Sequence, residues 1–147
     1  MKLMTRLGPV DIEADEILHF PAGIIGFPQY RRYIILDHDA DSPVKWLQAV
    51  EKEDLAFPIA APADFAPDYA VTISAEDLSA LGVESGADLR AFVILTIPRG
   101  APDRATANLR APVVVNPDTR MAMQVLTEED HPIRYPLTAA SPLECVQ

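Results

Sequence analysis

Cysteine is nearly absent from the chain. Its 147 residues include one, Cys145. No disulfide can form within the chain, which fits a reducing compartment. No apolar run approaches the ~20 residues that a membrane-spanning helix needs. The N-terminal stretch MKLMTRLGPVDIEAD lacks the apolar core and small-residue cleavage site of a signal peptide. A cytoplasmic location is expected. Basic residues are scarce, with 12 Lys and Arg against 22 Asp and Glu, a net charge of −10. That balance repels nucleic acid and anionic membrane and attracts basic proteins. It also serves plain solubility. There is no G-x-S-x-G, P-loop or dinucleotide fingerprint, and no repeat of a solenoid or propeller.

What is present points to β structure. The hydrophobic fraction of 49% excludes wholesale disorder, and 14 prolines punctuate the chain. Proline inside a helix costs about 3 kcal/mol, so long helices have nowhere to sit. Short Val- and Ile-rich runs between turn signals predict a small sandwich or barrel. At this length one domain is expected, residues 1–137, followed by a flexible tail, residues 138–147.

The central stretch is VKWLQAVEKEDLAFPIAAP, residues 44–62. Its alternation predicts a hairpin with a four-residue acidic turn, Glu51 to Asp54. Pairing Val50 with Leu55 sets Gln48 opposite Phe57 and Trp46 opposite Ile59. Trp46, the single tryptophan, is then expected in the core, where its loss costs ~3–5 kcal/mol. Gln48 is expected to satisfy its buried amide on neighbouring loop backbone, or else to meet a partner at a rim.

Before the hairpin, Lys2 to Leu7 reads as a strand, Gly8-Pro9 as a turn and Val10 to Phe20 as the return. The loop from Pro21 to Tyr30 carries Ile24, Ile25, Phe27 and Tyr30. Most of these are expected to tuck inward. Arg31 to Asp37 is the next strand. After the hairpin, Ala63 to Asp68 reads as a loop or single helical turn, and Tyr69 to Ile73 as a short strand. The one helix is Ala75 to Leu81, capped by Ser74 and ended by Gly82. Strands are expected within Leu89–Pro98, Thr106–Leu109, Pro112–Asn116, Met121–Leu126 and Ile133–Leu137.

Candidate chemical sites weaken on inspection. Asp37, Asp39 and Asp41 match the start of a calcium loop, but Ser42 stands where Gly is needed and Gln48 where Glu is needed. His19, His38 and His131 lack zinc-ligand spacing, and there is no second cysteine. Gly23-Ile24-Ile25-Gly26 fits the RNA-binding G-x-x-G in letters only, since its apolar centre repels phosphate. Glu13 with Glu16, and Glu51 with Glu53 and Asp54, are carboxylate neighbours with no cleft to separate their pKa values. No metal or organic cofactor is expected.

Five runs in order carry a resemblance: FPAGIIGFPQYRRYIIL, VKWLQAVEKEDLAFPIAAP, TANLRAPVVVN, MAMQVL and IRYPL. Together they resemble the FliW flagellar assembly factor family from about Ile17 to Leu137. The pair Leu47-Gln48 with its acidic run, and Asn108-Leu109 with Ala111-Pro112 and Asn116, are the most specific pieces. Ala49 departs from the serine often found there. The resemblance implies an all-β fold, a small, partly open antiparallel β-barrel with one short helix. It implies a non-enzymatic cytoplasmic regulator that binds the translational repressor CsrA, relieves silencing of flagellin mRNA, and binds flagellin in competition. A monomer is expected when no partner is bound.

Physical reasoning places the partner surfaces. The exposed acidic turn, Glu51, Glu53 and Asp54, suits basic CsrA. The loop residues Phe27, Pro28 and Tyr30, with Phe65 and Tyr69, suit the apolar faces of unassembled flagellin. Two rivals are a small β-barrel enzyme with a site assembled from residues such as His19, Asp68 and Asn108, and a structural adaptor with a single partner.

Overall fold

The computed structural model describes residues 2–5, 8–37, 44–64, 66, 69–85, 88–101, 104–127, 129 and 131–137. The candidates His38, Asp39, Asp41, Phe65, Asp68 and Cys145, and the expected tail 138–147, lie outside the described residues.

Among the described residues, eleven strands and one α-helix follow in order: β1 (Lys2–Thr5), β2 (Gly8–Asp11), β3 (Leu18–His19), β4 (Arg32–Asp37), β5 (Lys45–Ala49), β6 (Ala56–Ala60), α1 (Ala75–Ala80), β7 (Arg90–Thr96), β8 (Thr106–Ala107), β9 (Val113–Val115), β10 (Ala122–Gln124) and β11 (Tyr135–Pro136). Single 3-10 turns occupy Ala14–Glu16 and Pro62–Asp64. Strands β1 and β2 form their own hairpin. The main sheet runs β10-β9-β7-β6-β5-β4-β3, with β8 attached to β7 and β11 to β8. Every ladder is antiparallel.

The two ends of this sheet meet. The His19 N–H donates to the Arg120 carbonyl at 2.8 Å, and His19 bridges Met121 in parallel. One short bridge replaces a full ladder, so the sheet curls into a partly open barrel. The interior holds Leu18, Phe20, Tyr33, Leu47, Ile59 and Val113, all at or below 2% exposure. The β1–β2 hairpin covers the other face of β4, with Leu3 and Val10 packed near Ile34.

The helix forms where Ser74 accepts from the Asp77 N–H at 3.1 Å and Gly82 takes φ +76°. A left-handed φ at that position suits glycine. Leu81 is buried against Val114 and Val125.

Three expectations are corrected. The Gly8-Pro9 pair is not a turn. The chain reverses between Thr5 and Gly8, and both residues open β2, where the Gly8 carbonyl accepts from Thr5 Oγ1 at 2.6 Å. Second, the central hairpin is shifted by one residue: Trp46 faces Pro58, Leu47 faces Phe57 and Gln48 faces Ala56. A one-residue shift exchanges the faces of a strand. Leu47 and Ala49 therefore enter the core, and Trp46 is half-buried on the other face. Residues on both faces of β5 are apolar, so alternation alone did not fix the register. Third, Tyr69–Ile73 joins no ladder among the described residues.

The largest fully buried ring is Tyr33, not Trp46. It meets Phe20 edge-on at 5.1 Å between centroids. Its hydroxyl has no hydrogen-bond partner among the described residues. Burial, followed by the charge of Glu51, pushes its pKa up to about 12. A buried hydroxyl without a partner carries a desolvation cost of roughly 1–3 kcal/mol. Tyr33→Phe is therefore expected to leave the urea midpoint unchanged or raise it. A loss above about 1 kcal/mol would show that the hydroxyl is bonded.

Candidate functional site

The acidic turn is built from the inside by Gln48. Its Nε2 lies 3.0–3.1 Å from the carbonyls of Ala49, Lys52, Glu53 and Leu55. Gln48 is fully buried, so its two amide hydrogens act as the turn's internal scaffold. The expectation that loop backbone satisfies this amide holds.

The three acidic residues differ in what they do. All are exposed. Glu51 Oε1 accepts from the Arg31 and Arg32 N–H groups at 3.0 and 3.1 Å. The Arg32 guanidinium lies 3.9 Å away. Glu51 thus clamps the turn to the start of β4. Asp54 pairs with Lys52 at 3.0 Å. That hydrogen bond and charge hold the Asp54 carboxyl below its usual range and the Lys52 ammonium above its own. Glu53 makes its contact through its backbone, so its carboxylate is the one most available to a partner.

The same clamp brings the first aromatic loop to this turn, because Arg31 and Arg32 directly follow it. Gly23 takes φ +69°, and a Cβ there would lie 2.6 Å from Pro28 Cα. The loop can fold back on itself only with glycine at this position. Ile24 is buried, as expected for most of the loop's apolar residues. Phe27 is half-buried and meets Phe57 edge-on at 5.4 Å, Tyr30 is half-buried against the core, and Pro28 is exposed. Ile25 is 61% exposed, and its N–H donates to Gln124 Oε1 at 2.9 Å. Ile25 is thus the member of the loop's apolar set that does not tuck inward, and Gln124 was not singled out from the sequence. The signal was the pair of isoleucines between two glycines, only one of which can turn inward.

Tyr69 belongs elsewhere. It packs with Leu109 and Leu137 in a second cluster. Its hydroxyl donates to the Leu109 carbonyl at 2.5 Å, and its ring meets His131 edge-on at 4.7 Å. Burial pushes its pKa up to about 12. Tyr69 is fastened through its hydroxyl. Beside it lies an open cleft of about 210 Å³ between the 69–73 segment and β7 and β9.

Two residues of the enzymatic alternative, His19 and Asn108, have structural tasks. His19 closes the barrel through its backbone. Asn108 Oδ1 accepts from the Arg110 and Ala111 N–H groups, both at 3.1 Å. Asn116 donates to the Leu81 carbonyl at 2.7 Å and so ties α1 to β9. Among the described residues, no three His, Cys, Asp or Glu side chains are grouped to hold a metal ion. Among them, no helix is long and apolar enough to cross a membrane.

Residues 2–137 match the family model described as FliW protein. The chain belongs to the FliW family. A flagellar assembly factor FliW of Bdellovibrio bacteriovorus is 40% identical over 134 residues, covering 90% of this chain and 76% of the relative. One from Natranaerobius thermophilus is 36% identical over 133 residues, covering 90% and 88%. A crystal structure of the flagellar assembly factor FliW superposes with a TM-score of 0.85 at 29% identity, covering 93% of this chain and 96% of that one. The partly open barrel with one short helix is therefore a family fold, and the turn and loop described above lie within the matched span.

Proposed function

We propose that this FliW-family chain is a cytoplasmic, non-enzymatic flagellar assembly factor that binds CsrA and flagellin. On this reading it relieves CsrA repression of flagellin synthesis, and accumulating flagellin competes it away. The observation that carries the proposal is the juxtaposition of an exposed acidic turn and an apolar loop, joined by the Glu51 clamp. Charge steers a basic partner, and exposed apolar groups give lasting affinity. Purified CsrA and flagellin, added singly and in competition to the immobilised chain, test it. Binding of neither partner would refute it.

The clamp divides the acidic residues into two classes. Glu53→Lys with Asp54→Lys is expected to slow association with CsrA several-fold at low salt and to leave the melting temperature nearly unchanged. Glu51→Lys is expected to lower the melting temperature as well, because two backbone donors lose their acceptor. Unaltered association in the double variant would move the CsrA surface off the turn.

Flagellin is proposed to use the first loop. Phe27→Ala and Tyr30→Ala are each expected to weaken it by roughly thirtyfold, the factor of ~2 kcal/mol typical of an anchor. Tyr69→Ala is expected to act on stability instead. If each substitution lowers the melting temperature and none weakens flagellin selectively, the loop is a plug and the anchor lies elsewhere.

A further inference from the structure

The segment Tyr69–Ile73 has the alternation of a strand but no partner strand among the described residues. Tyr69, Val71 and Ile73 are half-buried, whereas Ala70 and Thr72 are exposed. All three half-buried side chains line the same open cleft of about 210 Å³. Residues i, i+2 and i+4 share one face only in an extended chain.

The backbone groups divide in the same way. In a strand, the N–H and C=O of one residue point to one edge, and those of the next residue to the other. On one edge, the Ala70 carbonyl lies 2.9 Å from His131 Nε2 and the Thr72 N–H donates to Glu129 Oε1 at 3.2 Å. Side chains from residues 129 and 131 thus stand where a neighbouring strand would. On the other edge, neither Val71 nor Ile73 makes a hydrogen bond among the described residues. Exposed edges of this kind are templates for an added strand.

We propose that this edge is a site for strand addition: an extended segment of a partner protein pairs with Val71 and Ile73 and places alternate apolar side chains in the adjoining cleft. Main-chain bonds supply affinity in this mode, and the side-chain pockets supply selectivity. The cleft is too small for a typical organic ligand, whose sites run ≈ 300–1,000 Å³. It suits one or two aliphatic side chains. The setting is acidic. Glu129 stands on the opposite edge, Glu76 and Asp77 follow in the first turn of α1, and the whole chain carries −10. The occupant therefore has basic flanks. The chain's own terminal sequence, TAASPLECVQ, has no Lys or Arg and is interrupted by Pro142, so it is a poor match. The site is separate from the acidic turn and does not depend on which partners that turn binds.

The test uses the full chain and the synthetic peptide acetyl-KTVTVTVKK-amide. The Val71 and Ile73 amides are expected to exchange rapidly in the protein alone. With peptide, their NMR signals should shift saturably and their exchange should slow at least tenfold. Two further peptides carry N-methyl groups either on every valine or on every threonine. Alternate nitrogens face opposite edges, so one methylated peptide should lose at least tenfold in affinity and the other should retain it. Val71→Pro removes a donor that makes no hydrogen bond among the described residues. It is expected to keep the melting temperature and to lose peptide binding. Equal behaviour of the two methylated peptides, or no saturable shift, would overturn the proposal. So would slow exchange at Val71 and Ile73 without peptide, which would mean that the tail or a second copy already covers the edge.

Discussion

Gln48→Leu is expected to destabilise the protein by about 3 kcal/mol, the cost of stranding several part-buried carbonyls. That corresponds to a fall in melting temperature of roughly 10 °C for a domain of this size. Leucine nearly conserves the volume, so the loss isolates the amide from the packing. Four carbonyls converge on Nε2, and the residue is fully buried. Gln48→Glu sharpens the prediction. A carboxylate there faces carbonyl oxygens, so its folded pKa is raised above the unfolded value of ~4.3. The charge penalty is then absent below the unfolded pKa and grows as pH rises to the folded one. Urea midpoints at pH 5 and pH 8 should show Gln48→Glu losing more at pH 8, while Gln48→Leu loses about the same at both. Equal losses for Gln48→Glu at the two pH values would mean that the side chain leaves the turn.

The parts of the fold legible in the sequence are those whose causes are local. The apolar runs that became β7 and β9, the Ser74 cap and the Gly82 stop are written within a few residues of where they act. The hairpin register was not, because Leu47 and Trp46 both suit burial and the deciding contact is Gln48 inside a turn. Tyr69–Ile73 shows the opposite case. A short strand was expected there, and the burial does alternate, yet a ladder needs a second strand. There the neighbouring chain presents the Glu129 and His131 side chains instead. Of the candidate surface, the exposure of Glu53 and Asp54 was legible from their place in a turn. The Glu51 clamp was not, since its partners lie 19 and 20 residues earlier. The placement of Tyr69 as a fastened residue depends on Leu109, 40 residues away.

The loop beside the acidic turn is expected to depend on Gly23 more than on any of its aromatic residues. Gly23 and Gly26 both have positive φ, +69° and +91°, so alanine is strained at either. That strain costs about 1–2 kcal/mol. Only Gly23 is also crowded. Its added Cβ would meet Pro28 Cα at 2.6 Å, the Phe27 carbonyl oxygen at 2.7 Å and the Pro28 carbonyl carbon at 2.9 Å, whereas at Gly26 nothing lies within 4 Å. These neighbours are backbone, so relief requires moving the Phe27-Pro28 segment itself. Forcing an atom into such a space adds roughly 1–3 kcal/mol. Gly23→Ala is therefore expected to cost about 3 kcal/mol in total and Gly26→Ala about half of that. The two variants also separate the proposed binding role from stability. Gly23→Ala shifts Phe27 away from Phe57 and should abolish flagellin binding even at a temperature where the protein remains folded. Gly26→Ala should preserve most of the affinity. CsrA association should survive both, because the Glu51 clamp acts on Arg31 and Arg32, beyond the displaced segment. If Gly23→Ala binds flagellin as the unaltered chain does while its Phe27–Phe57 contact is lost, the first loop is not the flagellin anchor.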